Sequence, residues 1–271
     1  MAESSVGRIA ILGGGVMGET LLTTLVAAGQ DPASIAVAEK SAERAEVLRK
    51  AHSVEVADSR SAVAGADLIL IVVKPQDVPD LLADIADALE PGAIVASFAA
   101  GVRTDRIESA VAAGTPVIRI MPNTPAVVGE GMFGASPGAA CTDEQVAILG
   151  DLLAAGGKFV VVEEKLQDAL TAVSGSGPAY VFYLAEAMIA GGVQAGLDEA
   201  TARELTTQTI LGAAKLLSES DDDATELRRR VTSPNGTTAA AIAAFDDRDV
   251  KGAIVEGVAS AARRSAELSG G

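Results

Sequence analysis

The sequence is short of the side chains that most hydrolytic and metal-dependent sites use. Cys141 is its only cysteine and His52 its only histidine. A single cysteine excludes an intramolecular disulfide and fits a reducing compartment, so the expected location is the cytoplasm. One Cys and one His exclude the usual nitrogen- and sulfur-ligated zinc site, and no metal is expected. Cys141 has no base near it in sequence and reads as a small apolar residue ahead of a helix. His52 follows a charged helix, Ala42 to Ala51, and reads as a surface residue. Tryptophan is absent and aromatics make up 3%, so the core has to be built from Ala, Val, Leu and Ile. Basic charge is also scarce: 21 Lys and Arg against 37 Asp and Glu leave a formal net charge of −16. A polyanion would be repelled, which argues against nucleic acid or an anionic membrane as a partner. Any anionic ligand must then be held by backbone N–H groups or a few placed cations. No apolar run reaches the length of a membrane span. Met1–Ser5 has neither a basic n-region nor an apolar h-region, so no signal peptide is expected.

What is present is a globular composition, with 49% hydrophobic residues in 271, enough for a sizeable core and two domains. The first half alternates short β-rich runs with helical patterns, the signature of a parallel sheet covered on both faces. Strands are expected at Arg8 to Leu12, Ile35 to Ala38, near Val54 to Val56, Leu68 to Val73, Ala93 to Phe98, Val117 to Met121 and Lys158 to Val162. Pro122 to Gly138 reads as a Pro- and Gly-rich loop, and Thr142 as the N-cap of the helix that follows it. From Glu163 onward the pattern is helical, which predicts a strand–helix domain over 1–163 and a helical domain over 164–271. The fold class is therefore an N-terminal Rossmann-type, doubly wound parallel sheet followed by an all-α domain. The helix after Pro178 is apolar on nearly every side and must be buried all round. About a hundred residues of helix do not bury it easily, so this domain is expected to pack against a second copy of itself.

The chain is organised around Ile9-Ala10-Ile11-Leu12-Gly13-Gly14-Gly15-Val16-Met17-Gly18. Gly13, Gly15 and Gly18 have the G-x-G-x-x-G spacing between a strand and a helix. The first glycine permits the tight turn, the second leaves room for a pyrophosphate, and the third lets helix and sheet approach. The helix N-terminus offers unpaired N–H groups and the positive end of its dipole. The end of the second strand, where a dinucleotide ribose is read, is Ala38-Glu39-Lys40-Ser41 with Arg44 one turn on. Glu39 favours the free 2′-hydroxyl of NAD, while Lys40 and Arg44 favour the 2′-phosphate of NADP, so these residues leave the choice open. Lys74, at the end of Val72-Val73-Lys74-Pro75, is placed to line the same site. In the helical half, Ser174-Gly175-Ser176-Gly177-Pro178 and Ser233-Pro234-Asn235-Gly236-Thr237-Thr238 are polar turns that can cap helices or bind a carboxylate.

The glycine loop, Val72–Pro75, Ala99-Ala100-Gly101, Met121-Pro122-Asn123-Thr124-Pro125, Ser174–Tyr180 and Ser233–Thr238 occur in that order over nearly the whole chain. Together they resemble the pyrroline-5-carboxylate reductase family, the last turn being the most specific. Asn235 stands where the family usually has a second glycine; Asn tolerates left-handed backbone angles, so the turn is expected to survive. Gly18, often Ala or Gly in relatives, is expected to be a harmless difference.

The resemblance implies hydride transfer from NAD(P)H to the C=N carbon of 1-pyrroline-5-carboxylate, giving L-proline, the last step of proline biosynthesis. It implies NADP(H), with NAD(H) as the alternative, held by Leu12, Gly13, Gly14, Gly15, Val16, Met17, Gly18, Glu39, Lys40, Val72, Val73, Lys74, Pro75, Ala99, Ala100, Gly101 and Asn123. It implies a carboxylate clamp from Ser176, Gly177, Gly236 and Thr237, chiefly through backbone N–H groups. Thr238 is then the catalytic candidate, hydrogen-bonding the ring nitrogen, and Glu164 lines the same pocket. It also implies a homodimer that assembles further, commonly into a decamer. Two other classes remain open: a β-hydroxyacid dehydrogenase-like oxidoreductase and a non-catalytic NAD(P)-sensing protein. The first wants a His or Lys as general acid/base, and Lys165, Lys215 and Lys251 lie in neither turn. The second needs no substrate clamp.

Overall fold

In a computed structural model describing residues 6–270, the chain forms two compact units. One runs up to Ser176 and takes in the residues from Ala261 onward; the other is Gly177–Ser260. The unit break falls downstream of the change in pattern at 163. Met1–Ser5, read above for a leader pattern, lie outside the described residues, as does Gly271.

The first unit holds an eight-stranded sheet: β1 (Ile9–Leu12), β2 (Ile35–Ala38), β3 (Glu55–Ala57), β4 (Leu68–Ile71), β5 (Ile94–Ser97), β6 (Val117–Met121), β7 (Gly131–Pro137) and β8 (Gly157–Val161). Their order is β3-β2-β1-β4-β5-β6-β7-β8. β1 to β6 are parallel, β7 runs antiparallel to β6, and β8 is parallel to β7. The connecting helices are α1 (Val16–Ala27), α2 (Ala42–His52), α3 (Ser59–Val63), α4 (Val78–Ile85), α5 (Thr104–Glu108), α6 (Asp143–Leu153) and α7 (Gln167–Leu170).

The unbroken apolar runs have the expected cause. Every residue of β1, β2, β4 and β5 is buried, because helices cover both faces of a parallel sheet. Side chains alternate along β1. Ile9 and Ile11 join Leu21, Leu22, Leu25 and Leu149 on one face; Ala10 and Leu12 join Val63, Leu82, Ile85 and Ile107 on the other. Thr142 caps α6 in a full capping box: its hydroxyl accepts the Gln145 N–H at 3.2 Å, and the Gln145 amide oxygen accepts the Thr142 N–H at 2.9 Å.

β7 corrects the reading of Pro122 to Gly138 as a loop. Its glycines answer to packing: a Cβ on Gly131 would meet Ala126 Cβ at 2.6 Å and the Gly156 carbonyl oxygen at 2.7 Å, and one on Gly134 would overlap the Leu170 side chain. Between them Phe133 is wholly buried. Gln167, also wholly buried, donates to the Gly134 carbonyl at 3.1 Å and to Ser136 Oγ at 2.8 Å, fastening α7 onto β7. After α7 the backbone widens into a π-helical turn, Thr171–Gly175, which ends with the Ser176 N–H donating to the Thr171 carbonyl at 2.9 Å.

The second unit is helical: α8 (Gly177–Gln194), α9 (Glu199–Glu219), α10 (Ala224–Arg230), α11 (Thr237–Asp246) and the start of α12 (Val250–Leu268). α8 has no buried residue, with Phe182 63% and Tyr183 76% exposed, and α9 leaves Leu211 60% exposed. Among the described residues no helix is long and apolar enough to cross a membrane.

Truncating the core side chain of β7 should cost far more than removing a surface cap. Phe133→Ala is expected to lower stability by about 3–5 kcal/mol and Thr142→Ala by about 1 kcal/mol. Urea denaturation of both variants at one protein concentration checks the order; equal losses would contradict the burial argument.

Candidate functional site

The glycine loop leaves the carboxyl end of β1, and each of its glycines has a separate physical reason. Gly13 adopts φ +117°, and a Cβ there would sit 2.8 Å from the Val72 carbonyl oxygen. Gly15 has open space where its Cβ would be, and it is the N-cap of α1 with no side-chain cap. That opening is where a pyrophosphate can meet the orphan N–H groups of the first turn. A Cβ on Gly18 would overlap the Gly13 carbonyl oxygen, so in this chain Gly18 is not interchangeable with Ala. The loop thus fits a dinucleotide.

Its surroundings are equally local. The Gly13 N–H donates to the Ala38 carbonyl at 3.0 Å, tying the loop to the end of β2. The Gly14 N–H donates to Glu39 Oε2 at 3.1 Å, and the other Glu39 oxygen accepts the Ser41 N–H at 2.7 Å. Leu12, Gly13, Glu39, Lys40, Val72, Val73 and Lys74 line one groove of about 1170 Å³ along the carboxyl ends of β1, β2 and β4, where open α/β sheets bind ligands. Asp58, Asp77, Asp80 and Asp84 line it too, so its field is more acidic than the glycine loop alone indicates. Val16, Met17 and Gly18 begin α1, and Pro75 opens a short 3₁₀ turn after Lys74. Ala99, Ala100 and Gly101 follow β5; Gly101 has φ +74° and abuts the Leu268 carbonyl oxygen, 3.3 Å from where a Cβ would be. Asn123 follows β6, with both ends of its amide engaged. Its Oδ1 accepts the Met132 N–H at 2.9 Å and its Nδ2 donates to the Ser174 carbonyl at 3.2 Å.

Several charged residues have roles that the sequence reading did not reach. His52 is not a free surface residue: it closes α2, and its Nε2 lies 2.8 Å from Glu19 Oε1. Glu19 also accepts Arg44 Nη2 at 2.6 Å. Hydrogen bonds from His52 and then Arg44 hold the Glu19 carboxyl below its ordinary range. The signal was a lone acid in the apolar first turns of α1. Arg119, inside the apolar run of β6, is 6% exposed and donates to Glu164 at 3.2 Å. Glu164 also accepts the Thr104 N–H at 2.9 Å and the Thr104 hydroxyl at 2.6 Å. Burial pushes the Glu164 carboxyl up, but the bonds from Thr104 and Arg119 outweigh it and leave it lowered. Cys141 donates its thiol to the Val117 carbonyl at 3.0 Å, and burial raises its pKa, the opposite of an activated nucleophile. Among the described residues, no three His, Cys, Asp or Glu side chains gather as a metal-binding group.

The substrate candidates are divided between the units. Glu164 and Ser176 belong to the first; Gly177, Gly236, Thr237 and Thr238 to the second. Asn235 is at φ 57°, so the turn keeps the left-handed residue it needs. A Cβ on Gly236 would meet Ser233 Oγ at 2.5 Å, and the Gly236 N–H donates to the Ser233 carbonyl at 3.1 Å. That N–H and the Ser176 N–H are thus spent within their own turns. Gly177, Thr237 and Thr238 carry first-turn N–H groups that α8 and α11 do not pair internally.

Comparison with known proteins agrees with this layout. Residues 164–268 match the family model described as pyrroline-5-carboxylate reductase dimerisation. Residues 8–101 match the model described as NADP oxidoreductase, coenzyme F420-dependent. Pyrroline-5-carboxylate reductase of Corynebacterium melassecola is 39% identical over 264 residues, covering 96% of this chain and 98% of the relative. That of Pseudomonas aeruginosa is 40% identical over 267 residues, covering 98% of each. The chain belongs to the pyrroline-5-carboxylate reductase family. Among solved members of the family, that of Coxiella burnetii superposes with a TM-score of 0.92 at 32% identity, covering 97% of this chain and 99% of its own. That of Plasmodium falciparum, solved with NADP bound, gives 0.86 at 25% identity, covering 97% and 98%.

The Arg119–Glu164–Thr104 cluster makes a pH prediction within this reductase fold. Glu164 has a folded pKa below its unfolded value of 4.5, so its stabilisation is complete above the unfolded pKa and is lost as pH falls through the folded one. Glu164→Gln is expected to cost about 2 kcal/mol at neutral pH, and the gap to the wild type to close on acidification. Denaturation midpoints of both proteins measured from neutral to acid pH check this; a gap independent of pH would contradict it.

Proposed function

We propose that this protein reduces 1-pyrroline-5-carboxylate to L-proline with NADP(H), or alternatively NAD(H). The observation that carries the reading is the glycine loop, open at Gly15 and closed at Gly13 and Gly18, in a chain related over its whole length to reductases of that name. When bound, the reduced nicotinamide supplies the hydride. The chain has to bind, orient and shield. The orphan N–H groups at the start of α1 hold the pyrophosphate. Glu39 and Lys40 meet the adenosine ribose, and Val72 to Pro75, Ala99 to Gly101 and Asn123 border the path of the rest of the cofactor.

In this reading Gly177 and Thr237 hold the substrate carboxylate through first-turn N–H groups, and the Ser176 hydroxyl is a further candidate ligand of it. Gly236 shapes the turn, since its own N–H is engaged by Ser233. Thr238 hydrogen-bonds the ring nitrogen and sets its position; a hydroxyl is too weak an acid to protonate it unaided, so the proton comes from the already protonated imine or from water. Glu164, held by Thr104 and Arg119, is the remaining candidate for substrate binding. The apolar faces of α8 and α9 belong against a second copy, in a homodimer that assembles further into a decamer. The single cysteine and the scarcity of basic residues fit a cytoplasmic enzyme with a small-molecule substrate.

Purified protein mixed with pyrroline-5-carboxylate should oxidise NADPH or NADH, followed at the reduced nicotinamide band; no oxidation of either would reject the reading. Thr238→Ala should lower kcat roughly a hundredfold, as expected for losing the group that orients the reacting centre, while cofactor affinity stays. Loss of NAD(P)H binding in that variant would displace Thr238 from its assigned role. Light scattering at micromolar concentration is expected to give a dimer or a multiple of it, and a monomer would refute self-association.

A further inference from the structure

The sequence alone reads Arg44 as favouring the 2′-phosphate of NADP, but its contacts point elsewhere. Its Nε donates to the Gly14 carbonyl at 2.7 Å, and its Nη2 donates to Glu19 at 2.6 Å. The guanidinium is thus tied by one edge to two acceptors inside the protein, and Arg44 is not among the residues that line the groove, whereas Lys40 and Arg49 are. Gly14 is held at both ends, its N–H by Glu39 and its carbonyl by Arg44. Glu19 is in turn fixed by His52 on its other oxygen at 2.8 Å. The side chains of Arg44, Glu19 and His52 are 28%, 31% and 19% exposed, so this is a half-buried brace and not a surface ion pair.

The consequence follows from peptide geometry. The Gly14–Gly15 peptide is planar and trans, so its N–H points opposite to its carbonyl. Fixing the Gly14 carbonyl on the Arg44 side fixes the direction of the Gly15 N–H on the other. That N–H opens the first turn of α1, which has no side-chain cap. Two planar groups, the peptide and the guanidinium, are set against each other by one carboxylate.

We propose that Arg44 is a positioning residue that holds the glycine loop in its phosphate-binding form, through the Gly14 carbonyl and with Glu19 and His52 behind it, and so serves both nicotinamide dinucleotides alike. The inference rests on the dinucleotide reading above. Because Arg44 does not line the groove, its loss is expected to fall equally on NADPH and NADH.

The test is the dissociation constant of each reduced nucleotide for the intact enzyme, read from nicotinamide fluorescence, for the wild type, Arg44→Ala and Arg44→Lys. Arg44→Ala is expected to weaken NADPH and NADH by the same factor, roughly tenfold for one lost hydrogen bond to a charged group. Arg44→Lys keeps the charge without the planar fork and recovers part of that loss in parallel for both. If Arg44→Ala does not fold, Glu19→Gln loosens the same guanidinium and should show a smaller parallel loss. Weakening confined to NADPH would make Arg44 a 2′-phosphate ligand and overturn the proposal, as would unchanged constants for both nucleotides. A wild type that bound neither would overturn the dinucleotide reading itself, and with it this inference.

Discussion

The distance between the Gly13 carbonyl and the backbone of Gly18 governs the first unit. With no room for a Cβ between them, α1 starts directly against the end of β1, and its free N–H groups face the carboxyl edge of the sheet. A larger residue at Gly18 would push the helix away and turn those groups elsewhere. The close approach also sets what surrounds it. The Gly13 N–H reaches back to β2, the Gly14 N–H to Glu39, and the Gly14 carbonyl to Arg44. The ends of β2 and the start of α2 are therefore part of the loop's support. Bridging this edge to the rest of the sheet, β4 contributes the Val72 carbonyl that bars a side chain at Gly13.

How much of this could be read from the residues depends on which force places each one. The parallel strands were legible because burial on both faces leaves an uninterrupted apolar run, as in Leu68–Ile71. The order of elements, the helical second half and the cap at Thr142 followed from period and turn chemistry. β7 was not legible, since the same glycines and proline that mark a loop also serve a strand pressed against Ala126, Gly156 and Leu170. The long-range pairs were hidden for another reason. Arg119 and Glu164, or Glu19 and Arg44, are far apart in sequence, and nothing local says which charges meet. Only the oddity of each residue in its own element was visible: an arginine in an apolar strand, an acid in an apolar helix.

The two units carry different burdens. The sheet unit covers both sides of its central strands β1 and β4 internally. The helical unit does not: α8 is apolar on most of its surface and buries no residue within one chain. A surface of that kind is stable in water only when another apolar surface covers it. The match of 164–268 to a dimerisation model is therefore what the exposure of Phe182, Tyr183 and Leu211 requires on physical grounds. Stability and assembly are coupled in such a domain, since the folded helices and their partner surface form together.

The distribution of charge fits a chemistry that asks little of titrating side chains. Glu19, Glu39, Arg44, Arg119 and Glu164 are all engaged with backbone groups or with one another, and the only cysteine is raised in pKa by burial. An enzyme that had to generate a nucleophile or activate water would need one of these groups free and tuned. Reduction of a cyclic imine has no such need. The nitrogen is readily protonated, the hydride comes from the cofactor, and the protein's share is orientation in a field made of backbone dipoles. In a chain of net charge −16, anionic ligands can be drawn in only where that field is locally reversed. The first turn of α1 offers such a reversal with its N–H groups, which cost no counter-charge. At the glycine loop the charged side chains of Glu39 and Arg44 are spent on the backbone of Gly14.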